Sequence, residues 1–231
     1  MVTILFDIDG TLIDTGGAGR LAFAETFREL FGVDEIASNV SFAGRSDRAI
    51  AAELMQVHGI DPNSDNWNSF AESFIPRLHR LLPECPGEVL PGVVPLLDEL
   101  DKRAHVALGL LTGNLIAGAH AKLTHYRLCD RFHFGGYGDD WTDRSDIAKS
   151  AQLAARTYLA SRGGQGTNGD ETTIVIGDTP ADVRCARAIN AYAVAVATGG
   201  ATRSELAESR PDLLLDELTD STRLLEYIAA C

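Results

Sequence analysis

Asp7 and Asp9 stand two residues apart in Val2-Thr3-Ile4-Leu5-Phe6-Asp7-Ile8-Asp9-Gly10-Thr11. The run before them is apolar and rich in β-branched residues, which suits a buried strand of a parallel sheet. Residues i and i+2 of a strand share a face. The spacing therefore brings both carboxylates together at the carboxyl end of a central strand, where open α/β sheets bind ligands. Two carboxylates this close repel unless a cation or a shared proton lies between them. A bare D-x-D is often only a turn with two solvated aspartates. Here Gly10 supplies the turn and Thr11 a hydroxyl directly behind an apolar strand, and buried carboxylates need a compensating function.

Three further stretches could join this pair. Thr112-Gly113-Asn114 follows the apolar run from His105 to Leu111. Gly177-Asp178-Thr179-Pro180 follows the run from Thr172 to Ile176, and Asp182 lies four residues past Asp178. A basic residue, Arg144 or Lys149, lies near the start of the helix before that last strand. Taken singly, Thr112 reads as a helix cap, and Gly-Asp-Thr-Pro as a turn with Pro at the first helical position. Together they offer a nucleophile, an acid/base, a hydroxyl or amide cradle, a cation and a metal site.

Asp7-Ile8-Asp9-Gly10-Thr11-Leu12 resembles the first motif of the haloacid dehalogenase-like (HAD) hydrolase superfamily, and the later stretches resemble its other motifs. The resemblance spans nearly the whole chain. It is nearest to the phosphoglycolate phosphatase-like branch, which carries a helical cap inserted after the first motif. It implies that Asp7 takes the phosphoryl group as an aspartyl-phosphate. Asp9 would protonate the leaving alcohol and then activate water. Asp7, the Asp9 carbonyl and Asp178 would hold Mg2+, with Asp182 outside them. Thr112 would contact phosphate through its hydroxyl, and Gly113 and Asn114 through backbone amides at a helix start. The family commonly has Lys, often before Pro, as its third motif. None of the three lysines here precedes Pro, so Arg144 is preferred over Lys149 as the phosphate contact. Gly44-Arg45-Ser46-Asp47 resembles a cap stretch whose arginine reaches the active site, so Arg45 is expected to touch the substrate. The dehalogenases of the superfamily lack the second aspartate, so Asp9 argues against dehalogenation.

The implied activity is a Mg2+-dependent phosphatase for small, phosphoglycolate-like phosphate monoesters. A β-phosphoglucomutase-like phosphomutase shares the covalent step and differs in excluding water. A non-catalytic binding module is the alternative of another kind.

The elements that position these residues alternate strand and helix over most of the chain. That pattern predicts an α/β fold, a doubly wound, mostly parallel, Rossmann-like sheet. Between Thr15 and Leu82 the alternation stops. Helices are predicted at Ala18 to Phe31, Asp47 to His58 and Trp67 to Leu82, with Pro76 breaking or kinking the last. They read as an inserted helical cap, 15–87, in a core formed by 1–14 and 88–231. Phe132-His133-Phe134 is a short strand candidate. The Gly-rich run from Gly163 to Asp170 precedes a strand, so it is read as a surface loop and not a phosphate cradle.

A length of 231 residues, with 45% hydrophobic and 23% charged residues, is that of an ordinary globular protein. The net charge of -13 disfavours nucleic acid and anionic membrane surfaces. It leaves an anionic small substrate open, because a metal and a few basic side chains reverse the local field. No run has membrane-span length, no signal peptide is read at Met1-Val2, and the four cysteines are scattered. The expectation is a cytoplasmic protein, and the resemblance implies a monomer or homodimer.

Overall fold

The computed structural model describes residues 1–162 and 172–231, so the Gly-rich run lies outside the described residues. One six-stranded parallel sheet carries the fold. Strand β1 is Val2–Phe6, β4 Val106–Leu111, β5 Gly135–Gly136, β6 Thr172–Gly177, β7 Tyr192–Val196 and β8 Leu213–Leu215. Their order across the sheet is β5-β4-β1-β6-β7-β8, all parallel. Strand β1 thus lies between β4 and β6, with Phe6 level with Leu110 and Ile176. Every residue of β1 is buried, as its unbroken apolar run requires.

Helices cover both faces, with α4 at Val93–Asp101, α5 at Ile116–His125, α6 at Arg144–Ser161, α7 at Pro180–Ala188, α8 at Arg203–Glu208 and α9 at Thr222–Ala230. One core layer joins Ile4, Phe6 and Ile176 of the sheet to Leu96, Leu100 and Ile228. The opposite layer joins Leu5, Leu111 and Val175 to Ala148, Ala151 and Ala186. The alternation of β1 side chains between these layers is the period of two expected of a strand covered on both faces. The predicted fold class is the one observed.

The three consecutive helices are α1 at Ala18–Phe31, α2 at Asp47–Val57 and α3 at Ser64–Leu81. They share a separate apolar cluster in which Phe23, Phe27, Phe70, Phe74 and Leu78 are buried. Gly32 ends α1 in a left-handed conformation, φ 68°, and its N–H closes on the Phe27 and Arg28 carbonyls. Ser46 caps α2 by accepting the Ala49 N–H, and Asn63 caps α3 by accepting the Asn66 N–H. A two-stranded antiparallel pair, β2 at Ile13–Asp14 with β3 at Glu88–Val89, ties the two chain crossings that flank these helices.

Two expectations are corrected. Of the expected break or kink at Pro76, the break does not occur, since α3 runs from Ser64 through Leu81. Its ring is exposed while Phe74 and Leu78 on either side are buried, so tertiary burial outweighs the local penalty. The strand expected at Phe132–Phe134 is assigned at Gly135–Gly136. There Leu110 N–H donates to the Phe134 carbonyl and Thr112 N–H to the Gly136 carbonyl, so backbone pairing continues past the aromatic residues that drew the expectation. Helix α8 was not expected, although Thr202 and Glu205 form a capping box readable in the sequence.

Candidate active site

Because β4, β1 and β6 are parallel neighbours, their carboxyl ends bring Thr112, Asp7 and Asp178 to one edge. Asp7 follows β1 directly and its N–H donates to the Ile176 carbonyl at 2.9 Å. The chain then turns at Gly10, whose φ of 80° favours glycine. A side chain at Gly10 would also overlap the Asp178 carboxylate.

Asp7, Asp178 and Asp182 are all buried, and one carboxylate oxygen from each lies within 4.8 Å of the others. Burial raises the Asp7 carboxyl above the ordinary carboxylate range, the Arg144 charge opposes this, and the Asp182 and Asp9 charges add to it. Burial raises Asp178 as well, reinforced by Asp182 and Asp7, while the Thr11 hydroxyl donates to it at 3.2 Å. A buried all-oxygen set with this excess of negative charge matches what a hard divalent cation requires. Asp182 is engaged elsewhere in this cluster. It accepts from Arg144 through Oδ1, and from the Thr179 N–H at 3.0 Å and hydroxyl at 2.6 Å through Oδ2, capping α7.

Arg144, at the first position of α6, is 8% exposed and lies 3.4 Å from Asp7 while also pairing with Asp182. Lys149 is one turn further on, exposed, and pairs with Asp146 at 2.8 Å. Of the two basic candidates, only Arg144 reaches the carboxylates. Burial disfavours its charge, but Asp182 and Asp7 hold it firmly protonated.

Asp9 does not join the carboxylate cluster. The spacing argument would have aimed it alongside Asp7, yet β1 ends at Phe6, and in the turn Asp9 faces another way. Its Oδ2 accepts from Asn114 Nδ2 at 2.8 Å, and both its oxygens accept from Lys122 Nζ at 2.7 and 2.8 Å. Lys122 also donates to Asn114 Oδ1 at 2.6 Å. Asn114 Nδ2 and its backbone N–H both donate to the Thr112 hydroxyl, at 2.7 and 3.2 Å. With two bonds accepted, Thr112 Oγ1 keeps its own proton to donate.

Lys122 escaped the reading of the sequence, which placed it only as a lysine without a following proline. A signal was there. Gly118, Ala119 and Lys122 fall on the buried face of α5 at helical spacing, and a lysine at such a position needs a partner.

Helix α5 opens at Ile116, two residues beyond Asn114, and its first amides are already taken. Leu115 N–H donates to Asp47 Oδ2 at 2.9 Å and Ile116 N–H to Asp139 Oδ2 at 2.8 Å. Asp47 begins α2, so this bond, with Asp47 N–H to the Gly113 carbonyl at 2.8 Å, clamps the three-helix layer onto the strand end. Gly113 is obligatory here, since a Cβ would overlap the Arg45 carbonyl. Burial pushes the Asp47 carboxyl up to about 6, against the pull of Lys122.

The Arg45 side chain turns to its own helix. It pairs with Glu53 at 2.5 Å and donates to the Ser41 and Ala49 carbonyls. Arg45 nonetheless lines a cavity of about 450 Å3 whose floor is Asp7, Asp9 and Thr112 and whose opposite wall includes Phe23 and Phe42. Arg20 also lines it, its guanidinium 4.8 Å from the Phe42 ring centre.

The family model described as haloacid dehalogenase-like hydrolase matches residues 4–196, from β1 to the end of β7. The chain belongs to the haloacid dehalogenase-like hydrolase family. It is a hydrolase. The chain is 29% identical over 224 residues to a phosphoglycolate phosphatase of Synechococcus elongatus, covering 95% of each. It is 25% identical over 225 residues to the pyrophosphatase PpaX of Oceanobacillus iheyensis, covering 94% of each. Its fold is similar to that of CbbY from Rhodobacter sphaeroides in complex with phosphate, with a TM-score of 0.73, 23% identity, and 95% and 96% of the two chains covered. Among the described residues, no helix is long and apolar enough to cross a membrane.

Proposed function

We propose that this hydrolase is a Mg2+-dependent phosphatase of small phosphate monoesters, phosphoglycolate-like in its substrate class. The observation that carries the reading is the buried Asp7, Asp178 and Asp182 cluster against Arg144, at the carboxyl edge of the sheet. The phosphatase names of the relatives support hydrolysis over phosphoryl transfer to a sugar.

In this reading Asp7 attacks phosphorus as its P–O bond to the leaving alcohol breaks, giving an aspartyl-phosphate on Asp7. Asp9 delivers the proton to the departing oxygen, then accepts one from the water that cleaves the acyl phosphate. Arg144 and the Thr112 hydroxyl stabilise charge on the phosphoryl oxygens. Asp7, Asp178 and the Asp9 carbonyl would hold Mg2+, which neutralises carboxylate and phosphate charge so that the two anions can approach. The α1–α3 layer, 15–87, acts as a cap over the 1–14 and 88–231 core, and Gly113, Asn114 and Arg45 line the substrate side.

The test is inorganic phosphate release from 2-phosphoglycolate, sugar phosphates, nucleotides and pyrophosphate, with and without Mg2+, for the wild type and Asp7→Asn. Metal-dependent release that Asp7→Asn abolishes is expected. Conversion of a sugar phosphate to its isomer without net phosphate release would assign a mutase instead.

A further inference from the structure

Lys122 is a buried cation whose hydrogen bonds all go to site groups. We infer that Lys122 is a positioning residue that holds the Asp9 carboxylate in place for proton transfer to the leaving group; this rests on the phosphatase reading above.

The geometry leaves Lys122 little else to do. An ammonium has three N–H donors. Two are directed to Asp9, at 2.7 and 2.8 Å, and the third to Asn114 Oδ1 at 2.6 Å. None is left for phosphate, whereas Arg144 sits against Asp7. Asn114 in turn donates to the same Asp9 oxygen, so two fixed donors set the direction of one carboxylate. The lysine side chain is 6% exposed, while the Asp9 side chain is 44% exposed and lines the cavity. The anchored end of the pair is therefore the lysine, and the accessible end is the acid. Helix α5 keeps a charge on its buried face at a desolvation cost that only close pairing offsets.

Lys122 also lies beneath the helical layer. A Cβ at Gly19 in α1 would lie 3.9 Å from its Nζ, and the Asp47 charge in α2 faces it. Lys122 and Asn114 thus hold Asp9 outside the Asp7, Asp178 and Asp182 cluster, on the lining of the same cavity.

A residue that acts only through a general acid has a distinctive kinetic signature. An alkoxide needs a proton to leave, whereas p-nitrophenolate leaves without one. The specificity constant contains no step after the leaving group departs, so later hydrolysis of the acyl phosphate does not enter it. Lys122→Met is expected to lower kcat/KM for glycerol 2-phosphate by roughly 30- to 1000-fold, and for p-nitrophenyl phosphate by less than about fivefold. Asp9→Asn should give the same selective loss, and the double variant should lose no more than Asp9→Asn alone. A retained kcat/KM for p-nitrophenyl phosphate serves as the control for folding. If Lys122→Met melts below the assay temperature, Lys122→Gln, which keeps a donor, is expected to give an intermediate selectivity.

Equal losses for both substrates in a folded variant would make the role structural and overturn the inference. So would a rise in KM with kcat kept, the mark of direct substrate contact, or an additive double variant. A wild type that releases phosphate from neither substrate with Mg2+ refutes the phosphatase reading, and the inference falls with it. A wild type active on both, with any of the preceding outcomes, refutes the Lys122 role alone.

Discussion

Arg144 Nη2 bridges Asp7 and Asp182, lying 3.4 Å from the first and hydrogen-bonded to the second. One guanidinium thus pairs with two of the three buried carboxylates, and its direction is set by a residue that also caps α7. Arg144→Ala should lower kcat/KM by about 100- to 1000-fold, the scale seen for removing one charge-stabilising donor from a preorganised site. Lys149→Ala should change it by less than about twofold, because an exposed i, i+3 pair contributes little. Steady-state kinetics on the two variants side by side decides between them, and the reverse ranking would sink the assignment to Arg144.

Metal binding should show as stability before any turnover is measured. A carboxyl whose pKa is raised in the folded state keeps its proton longer than the unfolded chain does. Stability is then greatest at low pH and is lost as pH rises through the folded value. Asp7 and Asp178 are both raised by burial, so the metal-free protein should weaken toward alkaline pH. Mg2+ would bind the ionised carboxylates and add stability by mass action. About 5 mM Mg2+ should raise the melting temperature by several degrees near pH 8 and by much less near pH 5. Asp178→Asn should remove the increment, as read by differential scanning fluorimetry.

Asp47 gives a second pH-dependent signal, outside the carboxylate cluster. Its carboxyl is raised from 3.8 to about 6 by burial where it caps α5. Between those values the folded state binds more protons than the unfolded one, so stability falls as pH climbs from about 4 to about 6 and then levels. The shift corresponds to about 3 kcal/mol at most. Asp47→Asn keeps an oxygen for the Leu115 N–H and removes the ionisation. Urea titrations should give the variant a flatter profile across this window and a gain over wild type above it. Parallel profiles for the two proteins would contradict the assignment.

Arg45 is held by Glu53 and two carbonyls, yet borders the cavity. If it meets the non-phosphate end of the substrate, Arg45→Ala should raise KM for 2-phosphoglycolate by about tenfold or more, the loss of a charge-assisted contact. KM for glycerol 2-phosphate, whose other end is neutral, should stay within about twofold. Identical changes for the two esters would leave Arg45 as a brace of the α2 end.

Much of this protein is written in short stretches of its sequence. The apolar run Val2–Phe6 must be buried on both faces, which makes it an interior strand; Gly10 must follow because the chain turns at once. Gly32 and Ser46 stop α1 and start α2 through contacts within a few residues, so those boundaries could be read closely, whereas α3 opens at Ser64, before the expected Trp67. Asp7, Asp178 and Thr112 could be brought together on paper because each ends an apolar run and parallel strands align their ends.

Tertiary structure alone decided the rest. Lys122 reaches Asp9 across 113 positions of sequence, and Asp47 reaches Leu115 across 68. No local pattern encodes a bond that exists only because α5 packs behind the end of β1 and beneath α1 and α2. Pro76 stays inside α3 because Phe74 and Leu78 are buried against neighbouring helices, and the two-glycine strand β5 exists because β4 offers it a ladder. Local chemistry could supply the types of the reacting groups. Their directions, above all the turn of Asp9 away from Asp7 and toward Lys122, depend on contacts made only when distant segments of the chain are packed together.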